Sequence, residues 1–317
     1  MIVERKKIKI GVVGIGHLGN YHLQKYQKLE NCEIISVADT VIDRAQKAAG
    51  IHNCLALSDY RAMLDKVDAV SIAVPTGEHY KVARDFLAAG VDVLVEKPIC
   101  ATIEQADELI DLARRNNLIL QVGFVERFNP AIMALEKVIE KPLFIEAHRL
   151  HPFFERGTDV DVILDLMIHD LDIILKFVNS PLASVEAVGV PILSDKVDIS
   201  NVRLSFASGC IANVTASRIS SKTMQKIRFF GIEGYHSVDY QKREIVSLGK
   251  RINGSGQLEI IQNSIEVGSH DPLEEEIRSF INTVVSRSKP LISGEDARKS
   301  LKLAIDIIKK MKTAEVI

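Results

Sequence analysis

Ile8-Lys9-Ile10-Gly11-Val12-Val13-Gly14-Ile15-Gly16-His17-Leu18-Gly19, with Asp39 twenty residues past the last glycine, is the stretch that decides the fold. An apolar strand runs into a Gly-x-Gly-x-x-Gly turn, and His17 to Leu29 then carries Leu18, Tyr21, Tyr26 and Leu29 at helical spacing. In such a strand–turn–helix frame Gly14 permits the tight turn, Gly16 lets backbone approach a pyrophosphate, and Gly19 lets helix and strand pack closely. The helix N-terminus, with His17 and Leu18 in its first turn, faces the phosphates. Asp39 ends a second strand, Ile34 to Ala38, where its carboxylate can accept both ribose hydroxyls. A carboxylate there repels a 2′-phosphate, and Thr40, Val41 and Ile42 supply no cation; the nearest is Arg44. The stretch therefore predicts a dinucleotide, NAD before NADP.

Outward from this turn, residues 8 to 124 alternate short apolar strands with helices, the pattern of a parallel sheet covered on both faces. Asp43 to Ala49 is a predicted helix closed by Gly50, and Glu78 to Ala89 one closed by Gly90. Thr102-Ile103-Glu104-Gln105 reads as a capping box opening a helix to about Arg115. Strands are expected at Ala69 to Val74, Val91 to Val95 and Ile119 to Gly123. In such sheets ligands bind beyond the carboxyl ends of the strands, which singles out Pro75, Thr76 and His79, then Glu96, Lys97 and Pro98, then Gly123, Glu126 and Arg127. Lys97 at a strand end could set an ammonium against a reacting hydroxyl or carbonyl.

Beyond Phe124 the texture changes to alternating strands: Leu143 to Leu150, Ser184 to Val190, Asn201 to Ala207, Ile211 to Ser217, Lys226 to Gly231 and Tyr235 to Tyr240. Ser208-Gly209 is a hairpin signal between two of them. The fold class is thus α/β: an N-terminal Rossmann domain over 1–124, then an α+β domain over 125–317 with a largely antiparallel open sheet. That sheet's uncovered face suits a homodimer or homotetramer. Helices expected at Glu274 to Val285 and Glu295 to Met311 pack the chain end back. Asp165 and His169, four apart, would share one helix face, the imidazole able to move a proton and the carboxylate to orient it. On spacing alone this pattern equally fits a surface ion pair. His148 and His151, three apart on a strand, point to opposite faces, so no metal site is expected.

With 317 residues, 47% hydrophobic and 26% charged, the chain is long enough for two cores. Its net charge of −2 argues against nucleic-acid or membrane-surface partners. Cys32, Cys54, Cys100 and Cys210 are scattered and read as buried thiols. The start lacks an apolar leader and no run reaches a membrane span, so a cytoplasmic protein is expected.

Taken together, Gly14-x-Gly16-x-x-Gly19, Ala73-Val74-Pro75-Thr76 with His79, Glu96-Lys97-Pro98, Gly123-Phe124-Val125-Glu126-Arg127-Phe128, Asp165-x-x-x-His169 and Ser293-Gly294-Glu295-Asp296 resemble one family end to end. It is the glucose–fructose oxidoreductase and inositol dehydrogenase (Gfo/Idh/MocA) family of nicotinamide-dependent sugar and polyol dehydrogenases. The resemblance implies that Gly14, Gly16, His17, Leu18, Gly19, Asp39, Pro75, Thr76, His79, Glu96 and Lys97 hold the cofactor. It implies that Lys97 contacts the reacting hydroxyl and that Asp165 and His169 complete the acid–base site. Arg127, Arg149, His151 and Arg156 become candidates for substrate contacts, suited to phosphate or carboxylate. His148 to Asp172 is also similar to members acting on nucleotide-linked amino sugars, such as UDP-N-acetylglucosamine 3-dehydrogenases. The expected activity is hydride transfer between nicotinamide and a secondary hydroxyl of a sugar, polyol or sugar nucleotide. Two alternatives stay open: an NAD-dependent glycoside hydrolase using transient oxidation, and a non-catalytic dinucleotide-binding regulator.

Overall fold

A computed structural model describes residues 7–153, 160–232 and 234–313. The N-terminal elements run β1 (Ile8–Val13), α1 (His17–Tyr26), β2 (Cys32–Ala38), α2 (Ile42–His52), β3 (Leu55–Leu57), β4 (Ala69–Ile72), α3 (Thr76–Ala88), β5 (Asp92–Glu96), α4 (Ile103–Arg115) and β6 (Leu120–Gly123). The six strands form one parallel sheet in the order β3-β2-β1-β4-β5-β6. That order reverses direction between β1 and β4, the place where a doubly wound sheet opens a ligand crevice. β1, β4 and β5 are buried almost throughout, as strands covered on both faces require.

Two local readings change. Gly50 lies inside α2, which continues to His52 and ends at Asn53 in the left-handed conformation (φ 52°). Asn tolerates that conformation through its short polar side chain, so it can end a helix as glycine does. On α1 the buried positions are Gly19, His22, Leu23 and Tyr26, while Tyr21 is exposed. The inward face is therefore turned one residue from the expected one and carries a histidine. At α4 the capping residue is as read: Thr102 Oγ1 accepts the Gln105 N–H, and the Gln105 side-chain oxygen accepts from Ala101 N–H.

The remaining elements are α5 (Pro130–Leu135), β7 (Phe144–Leu150), α6 (Ile168–Val178), β8 (Leu182–Val190), β9 (Ile199–Phe206), β10 (Ile211–Ser217), β11 (Met224–Phe230), β12 (Tyr235–Asp239), β13 (Glu244–Ile252), β14 (Leu258–Asn263), α7 (Pro272–Ser286), α8 (Gly294–Lys310) and β15 (Lys312–Thr313). Nine strands make a second sheet, β14-β13-β12-β11-β7-β10-β9-β8-β15, antiparallel except at β10–β7 and β15–β8. β13 and β14 extend the sheet beyond the six strands expected. One face is buried by Ile145, Ala147, Val202, Leu204, Ala212, Val214, Ile227 and Phe229, with α6 supplying Ile173, Ile174 and Phe177. The opposite face bears Glu146, His148, Asn201, Arg203, Asn213 and Thr215.

Contacts divide the chain into a unit of residues 1–125 with 271–298 and a unit of 126–270 with 299–317. The first unit thus takes α7, whose Ile277, Phe280, Ile281 and Val284 share a core with Ile10, Leu23, Tyr26 and Leu29. Gly294 opens α8 where a Cβ would meet Ile110 and Leu120 at 2.8 and 3.0 Å, so the terminal motif seats that helix closely on α4 and β6. Cys32, Cys100 and Cys210 are buried and Cys54 half-buried; burial pushes all four thiols up, Cys100 to about 12 and the others to about 11.

Candidate active site

In the first unit the glycine turn is built as a cradle. Gly14 has φ +88°, and a Cβ there would meet the Ala73 carbonyl oxygen at 2.5 Å, so both conformation and space demand glycine. A Cβ on Gly19 would run into the Gly14 carbonyl. A Cβ on Gly16 would meet no protein atom within 4 Å. The backbone beside Gly16 is therefore open to a group from outside. Gly16 is also the N-cap of α1 and no side chain caps that end, leaving the helix's first N–H groups to an anion. Asn20 braces the turn, its amide nitrogen donating to the Gly16 and Ile15 carbonyls at 2.8 and 3.2 Å. These features fit a dinucleotide pyrophosphate.

Asp39 is 9% exposed at the end of β2. One carboxylate oxygen accepts the Ile15 N–H and the other the Val41 N–H, both at 2.8 Å. Asp39 thus ties the glycine turn to the loop after β2, and each oxygen keeps a lone pair for a ribose hydroxyl. His17 is exposed, its ring edge-on to Tyr21 at 4.6 Å, and Leu18 is half-buried. Pro75 caps α3 from an exposed position, with Thr76 half-buried behind it.

His79, expected to help hold the cofactor, lies inside the fold. It is 1% exposed, with ring nitrogens 2.7 Å from the Pro98 carbonyl oxygen and 2.9 Å from that of Val74. A neutral ring has one N–H to donate, so it can hydrogen-bond one of these two carbonyls at a time. Burial lowers its pKa against the pull of both carbonyls and Glu96 toward the charged form; the Lys97 charge acts with burial.

Glu96 and Lys97 end β5, both half-buried. Glu96 Oε1 accepts from His22 Nε2 at 2.9 Å, while His22 Nδ1 lies 3.1 Å from Ser71 Oγ, itself 2.7 Å from the Tyr26 hydroxyl. Burial disfavours the Glu96 charge, but His22, Lys97 and His79 together hold its pKa below the usual carboxylate value. A Cβ on Gly123 would lie 3.1 Å from the Glu96 carboxylate, so β6 makes room for it. Glu276 on α7 is fully buried with neither carboxyl oxygen hydrogen-bonded. Burial first, and then the neighbouring Glu96 charge, raise its pKa far above normal and keep it neutral.

In the second unit Asp165 and His169 are half-buried around a π-helical turn, Ile163–Met167, that leads into α6. Asp165 is carried on the widened turn, a departure that concentrates at functional sites, and His169 on the first turn of α6. Asp165 N–H donates to the Asp161 carbonyl at 3.1 Å, and the Asp161 side chain accepts from Val197 N–H at 3.0 Å.

Arg127 and Arg149, expected at substrate contacts, are both buried in ion pairs. Arg149, 4% exposed, grips Asp170 through Nε at 2.8 Å and Nη2 at 3.1 Å, and reaches Glu126 through Nη1 at 3.0 Å. The Tyr240 ring covers the guanidinium at 4.8 Å. Burial opposes its charge, yet Asp170 and Glu126 hold its pKa above the ordinary arginine value. Arg127 Nε pairs with Asp172 at 2.9 Å, and Ser300 Oγ donates to the other Asp172 oxygen at 3.1 Å. The sequence carried a signal for this: Arg149 has the parity of Ile145 and Ala147, the buried side of β7. His151 is half-buried just past β7, its N–H donating to the Ser217 carbonyl at 2.9 Å; Arg156 lies outside the described residues. Among the described residues no three His, Cys, Asp or Glu gather as a metal site would need.

The sequence reading does not single out His22, Ser71 or Glu276, and takes Tyr26 only as an apolar helix position. His22 sits three residues after Gly19, on the buried face of α1.

Residues 8–124 match the family model described as an oxidoreductase family with an NAD-binding Rossmann fold, and residues 138–236 match the GFO/IDH/MocA C-terminal domain. The chain is 35% identical over 305 residues to the UDP-N-acetylglucosamine 3-dehydrogenase of Acidithiobacillus ferrooxidans, covering 95% of this chain and 96% of that protein. A solved structure of that enzyme superposes with a TM-score of 0.88 at 34% identity, over 96% of this chain and 98% of the other. Scyllo-inositol dehydrogenase from Lactobacillus casei, with NAD(H) and scyllo-inositol, shares the fold (TM-score 0.80, 22% identity, 96% and 97% covered). So does a 3-ketoreductase from Actinomadura kijaniata in complex with TDP-benzene and NADP (TM-score 0.82, 23% identity, 97% and 99% covered).

Proposed function

The chain belongs to the GFO/IDH/MocA family of oxidoreductases, and from that premise we propose that it is an NAD-dependent dehydrogenase of a sugar nucleotide, oxidising the C3 hydroxyl of UDP-N-acetylglucosamine. The observation that carries the reading is the 35% identity to an enzyme of that name over 95% of this chain. Asp39 supports NAD over NADP: an ionised carboxylate braced by two N–H donors repels a 2′-phosphate. Bound NAD supplies the hydride acceptor.

The chain's own groups do the rest. His169 takes the hydroxyl proton on its imidazole as the C–H bond breaks, and returns it in the reverse direction. Asp165 orients that ring. The Lys97 ammonium stabilises the alkoxide charge that develops on the oxygen. Glu96 fixes the strand end that bears Lys97, and the open backbone at Gly16 takes the pyrophosphate. The outer face of the second sheet suits a homo-oligomer contact, with Phe144, Phe230 and Tyr235 clustered on it at ring distances of 5.7 and 5.1 Å. Four unpaired cysteines fit a reducing, cytoplasmic compartment. Among the described residues no helix is long and apolar enough to cross a membrane.

Incubation with NAD and UDP-N-acetylglucosamine is expected to give NADH together with a sugar nucleotide lighter by two hydrogens in the mass spectrum. NADH formed from inositols but not from UDP-sugars would move the reading to a polyol substrate.

A further inference from the structure

Two buried histidines that no catalytic step uses bond the residues on either side of one lysine. His22 on α1 is 0% exposed and bonds the Glu96 carboxylate; His79 on α3 is 1% exposed and bonds the Pro98 carbonyl. Glu96 and Pro98 are the residues on either side of Lys97. We propose that His22 and His79 are positioning residues that hold the Glu96-Lys97-Pro98 turn from both sides, His22 through the Glu96 carboxylate and His79 through the Pro98 carbonyl. The inference rests on the reading of Lys97 as the group that meets the reacting oxygen.

One assignment of hydrogens satisfies every donor in the chain that runs through His22. The buried Tyr26 hydroxyl has Ser71 Oγ as its partner at 2.7 Å and donates to it. Ser71 then spends its own hydrogen on His22 Nδ1 at 3.1 Å, leaving the ring hydrogen on Nε2, aimed at Glu96 Oε1 2.9 Å away. Every donor in the chain Tyr26–Ser71–His22–Glu96 is used with a neutral imidazole and an ionised Glu96. The groups facing Glu96 are therefore His22 from α1, His79 from α3, Glu276 from α7 and Lys97 beside it, with Gly123 of β6 leaving the carboxylate its space.

His79 completes the bracket. Its ring lies between the Val74 and Pro98 carbonyls, and with the hydrogen on Nδ1 it donates to Pro98 at 2.7 Å. An ammonium displaced by about an ångström from its target costs on the order of 100-fold in rate, which is the leverage such a bracket has.

Two amides separate this role from ordinary core packing. His22→Gln puts an amide N–H near the Nε2 position and keeps the bond to Glu96. His22→Asn reaches only the Nδ1 position and leaves Glu96 unheld. With NAD and UDP-N-acetylglucosamine, His22→Asn is expected to lower kcat about 10-fold or more, with the KM for NAD within about twofold of wild type. His22→Gln should stay within about threefold of wild type in kcat. On a Lys97→Met background His22→Asn should add almost nothing, because its effect passes through the missing ammonium. A readout without turnover is the Lys97 signal in NAD-loaded protein carrying ε-13C lysine, assigned by its loss in Lys97→Met. Its titration midpoint should move in His22→Asn and in His79→Leu, and hold in His22→Gln. Equal kcat for the two amides, an undiminished His22→Asn loss on the Lys97→Met background, or an unmoved Lys97 signal in His22→Asn overturns the proposal. A Lys97→Met enzyme with wild-type kcat instead overturns the reading of Lys97 itself.

Discussion

In the first unit Lys97 lies between residues held by hydrogen bonds from side-chain rings: an imidazole on Glu96, a second imidazole on Pro98, with a glycine that yields space. In the second, His169 is followed at once by Asp170 and then Asp172, each closed by a buried arginine. Each arrangement suits the group it serves. On the proposed reading Lys97 works through its positive charge, and imidazoles rather than arginines hold its neighbours. On the same reading His169 exchanges a proton above a foundation of matched charges. The lesson is that burial alone does not say how a site is fixed; the sign of the working charge does.

The comparison can be broken or sharpened at four places. Lys97→Met and His169→Ala should each lower kcat by about 10²–10⁴-fold, the range for loss of an acid–base or charge-stabilising group. Both residues are half-buried, so thermal melting should change little, and a large drop in melting temperature would recast them as structural.

Arg149→Leu strands Asp170 and Glu126 without a counter-charge and should cost about 3–5 kcal/mol in urea unfolding. Next in size, His22→Phe removes hydrogen bonds among mostly neutral groups and should cost about 1–3 kcal/mol. If His22→Phe costs as much as Arg149→Leu, the contrast between a neutral and an ionic foundation is lost.

The smallest effect tests Glu276. Its folded pKa is raised above the ordinary carboxyl value by burial and by Glu96. Between the unfolded and folded values the unfolded chain releases this proton while the native state keeps it, so stability falls as pH rises from about 4.5. Glu276→Gln, which keeps the shape without the ionisation, should raise the melting temperature by a few degrees at pH ~8 and leave it nearly unchanged at pH ~4. A variant destabilised more at pH ~8 than at pH ~4 would show that the carboxyl works as an ion.

The parallel sheet was legible because its signals are local. Gly14, Gly16 and Gly19 each answer to a steric demand within a few residues, and the apolar runs of β1, β4 and β5 announce double-sided burial. The second unit hid more. β13 and β14 carry exposed Val246, Ile252, Leu258 and Ile260, so neither shows the clean alternation of a strand over a core. Arg127 and Arg149 are indistinguishable in composition from surface charges; what fixes them is Asp170 and Asp172, twenty and more residues away in sequence. The histidine of α1 was missed for the same reason, since Ser71 and Glu96 reach it from distant strands. Motifs that act through backbone shape can be read from neighbours in sequence, whereas polar networks become visible only when the strands meet.

The central claim is hydride transfer from a sugar nucleotide, and isotopic labelling tests it most directly. The protein is incubated with NAD and UDP-N-acetylglucosamine carrying deuterium at C3, and the recovered nicotinamide is examined by mass spectrometry. The account predicts reduced cofactor bearing the deuterium, formed more slowly than from unlabelled substrate if C–H cleavage limits the rate. Cofactor that binds but stays oxidised, or reduced cofactor without deuterium, would contradict it.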